Sequence, residues 1–148
     1  MKTLHFSTLI HASAETVWRM MLGPDSYRQW TAPFAEGSHF DGSWEQGQQI
    51  RFLGPDGNGM VARIAENRLH EFISIQHLGC IINGVEDRDS EQARNWVQCF
   101  ENYRFISRGA DTELQVEMET GPDYEQYMTD TWPRALAVLK ALCETPKA

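Results

Sequence analysis

The chain has 148 residues, with 13 Lys or Arg against 21 Asp or Glu, so its formal net charge at pH 7 is −8. This length is typical of a single domain, residues 1–148, with a core large enough to fold without disulfides. The acidic balance, the lack of a basic run and the lack of an apolar stretch near ~20 residues predict neither nucleic-acid binding nor membrane insertion.

The N-terminus and the cysteines predict a cytoplasmic protein. The opening MKTLHFSTLIH lacks an uninterrupted apolar core and a small-residue cleavage site, so no signal peptide is predicted there. Cys80, Cys99 and Cys143 are odd in number and have no metal or redox spacing, which is typical of reduced thiols. The five histidines share no ligand spacing and no catalytic signature motif is present, so no metal or other cofactor is predicted.

The first thirty residues predict one strand followed by two short helices. Apolar and polar residues alternate over Thr3–His11, which is the pattern of a strand. Ser13 is a typical N-cap, and the helix after it would bury Val17 and Met21. Asp25–Trp30 predicts one further helical turn before a loop.

The middle of the chain predicts short strands separated by turns. The predicted strands are His39–Trp44, Gln48–Leu53, Met60–Ala65, Glu71–Leu78, Asn95–Ile106 and Thr112–Glu119. Glu66–Arg68 is predicted as the turn between the third and fourth of these strands. The polar and charged segment Ile81–Arg94 is predicted as a mobile loop.

The C-terminal run from Gly121 to Glu144 predicts one long helix. Its apolar stripe follows a spacing of three and four and comprises Tyr124, Met128, Thr131, Trp132, Ala135, Leu139 and Leu142. Pro133 lies inside this helix, so we expect a kink or restart near Thr131–Trp132. The predicted class is therefore α+β, with an antiparallel sheet of about seven strands whose concave face covers this helix.

The segment Ser7–Phe34 resembles the opening of the START-like (SRPBCC) superfamily, and it is closest to the heat-shock ATPase activator homologue branch. The matching residues are Ser13, Val17, Trp18, Pro24 and Trp30. The hairpin at Gly109–Leu114 and the helix at Trp132–Leu142 also match. The resemblance implies the helix-grip fold, a bent sheet wrapped around the long C-terminal helix with a cavity between them. It implies no single function, because the superfamily contains lipid carriers, hormone receptors, polyketide cyclases and cochaperones.

Two ionisable residues on neighbouring predicted strands form a candidate site. If Tyr103 points inward, Glu101 shares its face, and His77 shares the inward face of Ile75. Such a pair facing one cavity is a candidate acid/base or ligand-polarising couple. Two alternatives stay open: the pair satisfies itself or water in a wet pocket, or a bulge turns Glu101 outward and places Phe100 inside.

Aromatic side chains near strand ends either pack in the core and at the rim or line the mouth of the cavity. Trp30, Phe34, Trp44 and Trp96 are of this kind. The apolar stripe of the terminal helix would form one wall. The predicted ligand-contacting residues are His77, Glu101, Tyr103, Phe52, Trp30, Phe34, Met128 and Trp132.

Three functions are compatible with these patterns. The leading hypothesis is a binding protein that holds a small hydrophobic or amphipathic molecule between the sheet and the long helix. The second is an enzyme of cyclase, aromatase or hydrolase type that uses His77 and Glu101 to move protons. The third is a protein-interaction module with a protein partner, and a homodimer is one option.

Overall fold

The computed structural model describes residues 2–90 and 99–144, which form one bent antiparallel sheet and three helices. The strands are β1 (Lys2–Ile10), β2 (His39–Gly42), β3 (Gln49–Leu53), β4 (Gly59–Arg68), β5 (Phe72–Ile82), β6 (Val85–Asp87), β7 (Phe100–Arg108) and β8 (Asp111–Thr120). The helices are α1 (Ala14–Leu22), α2 (Pro24–Trp30) and α3 (Glu125–Glu144). The predicted α+β helix-grip arrangement is confirmed.

The sheet has the strand order β1-β8-β7-β5-β4-β3-β2, and β6 pairs with β5 in addition. The long strand β5 is shared: its first half pairs with β7 over Phe72–Gln76, and its last residues pair with β6 over Cys80–Ile82. The pairing of β4 with β5 contains register shifts at Val61/Ala62 and Ile64/Glu66. Such bulges bend the bulged strand and increase its twist, which helps to make one face of the sheet concave.

Helix α3 packs against the concave face, and its buried residues are Thr131, Trp132, Ala135, Leu136, Leu139 and Cys143. Polar contacts tie its end to the end of β1. Lys140 Nζ donates to the carbonyl of Leu9 at 2.7 Å, and the His11 amide donates to Glu144 Oε2 at 2.8 Å. The C-terminal half of α3 is therefore held by its buried residues and by these two contacts with β1.

The N-terminal elements agree with the sequence predictions. The Ser13 side chain accepts a hydrogen bond from the Thr16 amide, so Ser13 is the N-cap of α1. Along β1, Leu4 and Ile10 are buried while the residues between them alternate in exposure. Strand β8 shows the same period of two, which places Leu114, Val116 and Met118 inside.

The segment Ile81–Arg94 was predicted as a loop, and this is wrong for its first residues. Ile81 and Ile82 end β5, and residues 85–87 form β6. The turn between them has Asn83 at φ 55° and Gly84 at φ 79°, which are the positive values that a two-residue type I′ hairpin requires. Asn-Gly is the strongest short sequence signal for such a turn. The loop was predicted instead because many charged residues follow this pair.

Two further predictions need correction. The turn predicted at Glu66–Arg68 belongs to β4, and the chain instead turns at residues 69–71, with His70 at φ 62°. Helix α3 is continuous through Pro133, so a restart at Thr131–Trp132 is wrong, while a kink there stays a prediction. Trp96 and the beginning of the predicted strand at Asn95 lie outside the described residues.

Candidate ligand-binding pocket

A pocket of about 540 Å³ lies between the concave face of the sheet and the N-terminal half of α3. Its volume falls within the range of small-molecule sites. The wall is mainly apolar and includes Phe34, Phe52, Met60, Met118, Met128 and Trp132. Ile82 and Tyr124 also line the pocket and are 43% and 44% exposed, so it opens to solvent between the β5–β6 hairpin and the start of α3.

Aromatic contacts hold the wall in place. The ring centroid of Trp132 lies 5.2 Å from that of Phe34 and 5.8 Å from that of Trp30. The ring of Tyr27, on α2, lies 6.2 Å from that of Phe52 on β3. These contacts join α2, α3 and the sheet around the pocket, and aromatic pairs at such separations stabilise beyond their buried area.

The polar end of the pocket is built from β5 and β7. Glu101 and His77 both line it, with side chains 18% and 12% exposed, so the alternative with Glu101 turned outward does not hold. The Tyr103 hydroxyl donates to Glu101 Oε2. His77 Nε2 lies 3.7 Å from Glu101 Oε1, beyond hydrogen-bond distance. His77 Nδ1 is buried and has no hydrogen-bond partner within residues 2–90 and 99–144.

The buried phenols of Tyr27 and Tyr103 both interact with the charge of Glu101. Burial raises the pKa of Tyr103, and the negative charge of Glu101 raises it further. The pKa of Tyr27 is raised for the same two reasons, in the same order. Both side chains therefore stay neutral well above pH 7. Tyr103 acts as a permanent hydrogen-bond donor to Glu101.

Six of the eight predicted contact residues line the pocket, namely Phe34, Phe52, His77, Glu101, Met128 and Trp132. The other two do not. Trp30 is 2% exposed, and its Nε1 donates to the Met21 carbonyl at 3.0 Å, so it belongs to the core behind the wall. Tyr103 is 3% exposed and reaches the pocket only through its bond to Glu101. Ligand contact by any of these residues stays a prediction.

Several lining residues were not predicted. They include Tyr27, Met60, Cys80, Met118, Glu119 and Tyr127. Met118 was detectable, because the alternation along β8 places it on the inner face with Leu114 and Val116. Tyr27 was not, because a helix as short as α2 shows too little periodicity to identify its inward face.

The part of the chain that the structure describes contains no group of three His, Cys, Asp or Glu side chains placed to hold a metal ion. Across the same residues, no helix is long and apolar enough to cross a bilayer.

Comparison with known proteins agrees with this architecture. The family model described as "Activator of Hsp90 ATPase homolog 1-like protein" matches residues 11–144. The chain belongs to this family. That assignment confirms the resemblance to the activator branch of the START-like superfamily. No curated protein matches the chain.

Solved structures of other proteins share the fold of this chain. Protein MLL2253 from Mesorhizobium loti has a TM-score of 0.75 and 14% identity, over 99% of this chain and 100% of its own. The Aha1 dimer from Colwellia psychrerythraea has a TM-score of 0.75 and 15% identity, over 100% of both chains. CalU16 from Micromonospora echinospora has a TM-score of 0.67 and 15% identity, over 96% of this chain and 76% of its own. Identities this low show a shared fold alone.

Proposed function

We propose that this protein binds a small, mainly apolar molecule in the pocket between the sheet and α3. The observation that carries the proposal is the pocket itself, a space of about 540 Å³ with an apolar wall and one polar end at Glu101 and His77. Apolar lining with a few convergent polar groups is the usual composition of small-molecule sites. The apolar wall would supply most of the affinity, and the polar end would orient the ligand.

The test uses a neutral apolar dye, N-phenyl-1-naphthylamine, whose fluorescence rises when it leaves water. Met60→Trp places a large ring on the pocket wall, and we expect it to weaken dye binding by about tenfold or more, because the dye and the ring compete for the same volume. Leu69→Trp is the matched control, because Leu69 is 66% exposed in the β4–β5 turn.

Equal dye binding by the two variants would contradict the proposal, because the dye would then bind elsewhere. Native mass spectrometry of freshly purified protein gives an independent result. A co-purified small molecule present in the wild type and absent from Met60→Trp would support the pocket as its site.

A second candidate is proton-transfer catalysis on a bound molecule, and it rests on the approach of His77 to Glu101. Their nearest atoms are 3.7 Å apart in the free protein, and catalytic contacts often tighten only when substrate binds. Glu101→Gln and His77→Leu should each destabilise the fold by about 1–3 kcal/mol, because each substitution leaves the other, mostly buried side chain without its polar neighbour. The double variant Glu101→Met with His77→Leu should recover much of this loss.

Urea unfolding of the four proteins decides between the roles. If the double variant is stable and still retains the co-purified molecule, the pair is structural and the catalytic candidate falls. A protein partner, a homodimer and a cytoplasmic location stay predictions for this chain. Sedimentation of the purified protein tests whether it forms a homodimer.

A further inference from the structure

The ionisable side chains of the pocket wall are mainly acidic. Glu101 and Glu119 line it, as does His77, while the described residues contribute no Lys or Arg to the lining. Fatty-acid and phosphate headgroups need such cations, or clustered amide donors, to compensate their charge. An anionic headgroup at the polar end of this pocket would instead meet the carboxylate of Glu101. The wall therefore favours positively charged ligands over negatively charged ones.

Glu101 has hydrogen-bonding capacity left over. A carboxylate can accept about four hydrogen bonds. Within the described residues, Oε2 accepts one from Tyr103, and Oε1 lies 3.7 Å from His77 Nε2, beyond hydrogen-bond distance. A mostly buried carboxylate with this little compensation is costly, and a ligand that donates to Oε1 relieves that cost.

Aromatic rings occupy the same end of the pocket. The ring of Phe52 lies 6.4 Å from that of His77, and Tyr27 and Trp132 also line the wall. The faces of aromatic rings attract cations, most strongly where water is excluded. A carboxylate with rings beside it suits a positively charged nitrogen attached to an apolar body.

We infer that the ligand class is an amphipathic amine, with its protonated nitrogen at Glu101 and its apolar body along Phe34, Met128 and Trp132. This inference rests on the proposed function and adds the charge of the ligand to it. An apolar carboxylic acid or phosphate ester of equal size should bind more weakly, because its charge repels that of Glu101.

The test compares three probes that share one alkyl chain and differ in the headgroup: decylamine, decan-1-ol and decanoate. At pH 7 the amine is protonated and the acid is ionised. Each probe displaces N-phenyl-1-naphthylamine from the wild-type protein. We expect the amine to bind about tenfold or more tightly than the alcohol, and the carboxylate to bind most weakly, because hydrogen bonds to charged groups are the stronger ones.

The variant that isolates the carboxylate is Glu101→Gln, which keeps the shape of the side chain and removes its charge. We expect the ratio of amine to alcohol affinity to fall by about tenfold. Glu117→Gln is the matched control, since it changes the net charge equally. Glu117 lies on the outer face of the sheet, with its side chain 45% exposed beside His5 and Asn102. In this control the ratio should stay at the wild-type value.

The outcomes separate the two proposals. If all three probes displace the dye equally, or the carboxylate does so best, the amine inference is overturned and the pocket proposal stands. If Glu117→Gln lowers the ratio as much as Glu101→Gln, general attraction to an acidic protein explains the preference and the inference is overturned as well. If neither the dye nor any probe binds, the proposed function fails and the inference fails with it.

Discussion

At the scale of single residues, Tyr103 supplies a hydrogen bond to the Glu101 carboxylate. The phenol is 3% exposed, and its hydroxyl donates to the one oxygen of Glu101 that is satisfied by a described side chain. Because burial and the charge of Glu101 both raise the pKa of Tyr103, the donor does not ionise in the neutral range. Tyr103 therefore holds Glu101 at Oε2, while Oε1 lies 3.7 Å from His77 Nε2.

Removing this donor should destabilise the protein. Tyr103→Phe keeps the ring and deletes the hydroxyl, and we expect a loss of about 1.5–3 kcal/mol in urea unfolding, because a mostly buried carboxylate loses its hydrogen bond. Tyr127→Phe is the matched control. Its hydroxyl donates to the Phe34 carbonyl at 2.6 Å in an exposed position, where water replaces it, so its loss should stay below about 1 kcal/mol. Equal losses would show that Tyr103 does not compensate Glu101.

Cysteine reactivity gives a second test at this scale. Burial raises the pKa of Cys80, the nearby charge of Asp87 raises it further, and burial raises that of Cys143 to about 12. At pH 7.5 both thiols should therefore react slowly with iodoacetamide, and their rates should rise with pH, because the thiolate is the reactive form. Peptide mass spectrometry measures each rate.

Bound dye distinguishes these two thiols. Cys80 lines the pocket, so saturating N-phenyl-1-naphthylamine should slow its alkylation further. The rate at Cys143, which lies on the buried face of the C-terminal half of α3, should not change. A Cys80 that reacts as fast in the folded protein as in urea would contradict both its burial and its raised pKa.

At the scale of elements, the β5–β6 hairpin sets one side of the pocket mouth through Ile82. Its turn requires a positive φ at Gly84, and a β-carbon there would meet no atom within 4 Å. Gly84→Ala should therefore destabilise by backbone strain alone, by about 1–2 kcal/mol. Gly121→Ala is the control, since Gly121 has equal space and no positive φ. Thermal unfolding compares the two, and equal midpoints would count against a type I′ turn.

Helix α3 carries Pro133 on its exposed side without interruption. Proline inside a helix costs about 3 kcal/mol relative to alanine, partly because the carbonyl four residues earlier loses its donor. Pro133→Ala should raise the stability by about 1–3 kcal/mol in urea unfolding. Arg134→Ala, at the neighbouring exposed position, should change it by less than about 0.5 kcal/mol.

Dye binding should not change in Pro133→Ala. Trp132 is held by its contacts with Phe6, Trp30 and Phe34 rather than by the proline, so the pocket wall should stay in place. A variant that gains stability and loses dye affinity would show instead that the proline shapes the pocket.

The sequence predicts the elements better than it predicts the pocket. Periods of two along β8 and of three and four along α3 are local, and both elements form where those patterns occur. The wall of the pocket depends on curvature and on contacts between distant elements. Trp30 therefore lies in the core rather than on the wall, while Tyr27, three residues earlier on the same short helix, lines it. The pairing of β5 with β7 brings His77 toward Glu101 as expected.

At the scale of the whole molecule, α3 is the longest described helix, with 20 residues, and it packs against the concave face of the sheet. Leu139 and Ala135 are fully buried against it. A chain ending at Thr120 would lose Trp132 and the other buried residues of α3, and would expose apolar residues that they cover, such as Tyr103 and Phe6. We expect this truncated protein to be insoluble. Recovery of a soluble product with native-like circular dichroism would contradict the role of α3 as the cover of the sheet.

The two halves of α3 differ in how firmly they are held, and this difference gives the molecule a route for exchange with solvent. The C-terminal half is buried and tied to β1 through Lys140 and Glu144. The first turn borders the pocket and is held by exposed contacts, an ion pair of Glu125 with Lys2 and a hydrogen bond from Tyr127 to the Phe34 carbonyl, and exposed ion pairs contribute little stability. Local opening of a helix is cheapest where few apolar contacts are lost. Amide hydrogens of residues 125–130 should thus exchange with deuterium well before those of residues 135–143. A ligand could then enter by displacing one turn of helix while the core stays folded.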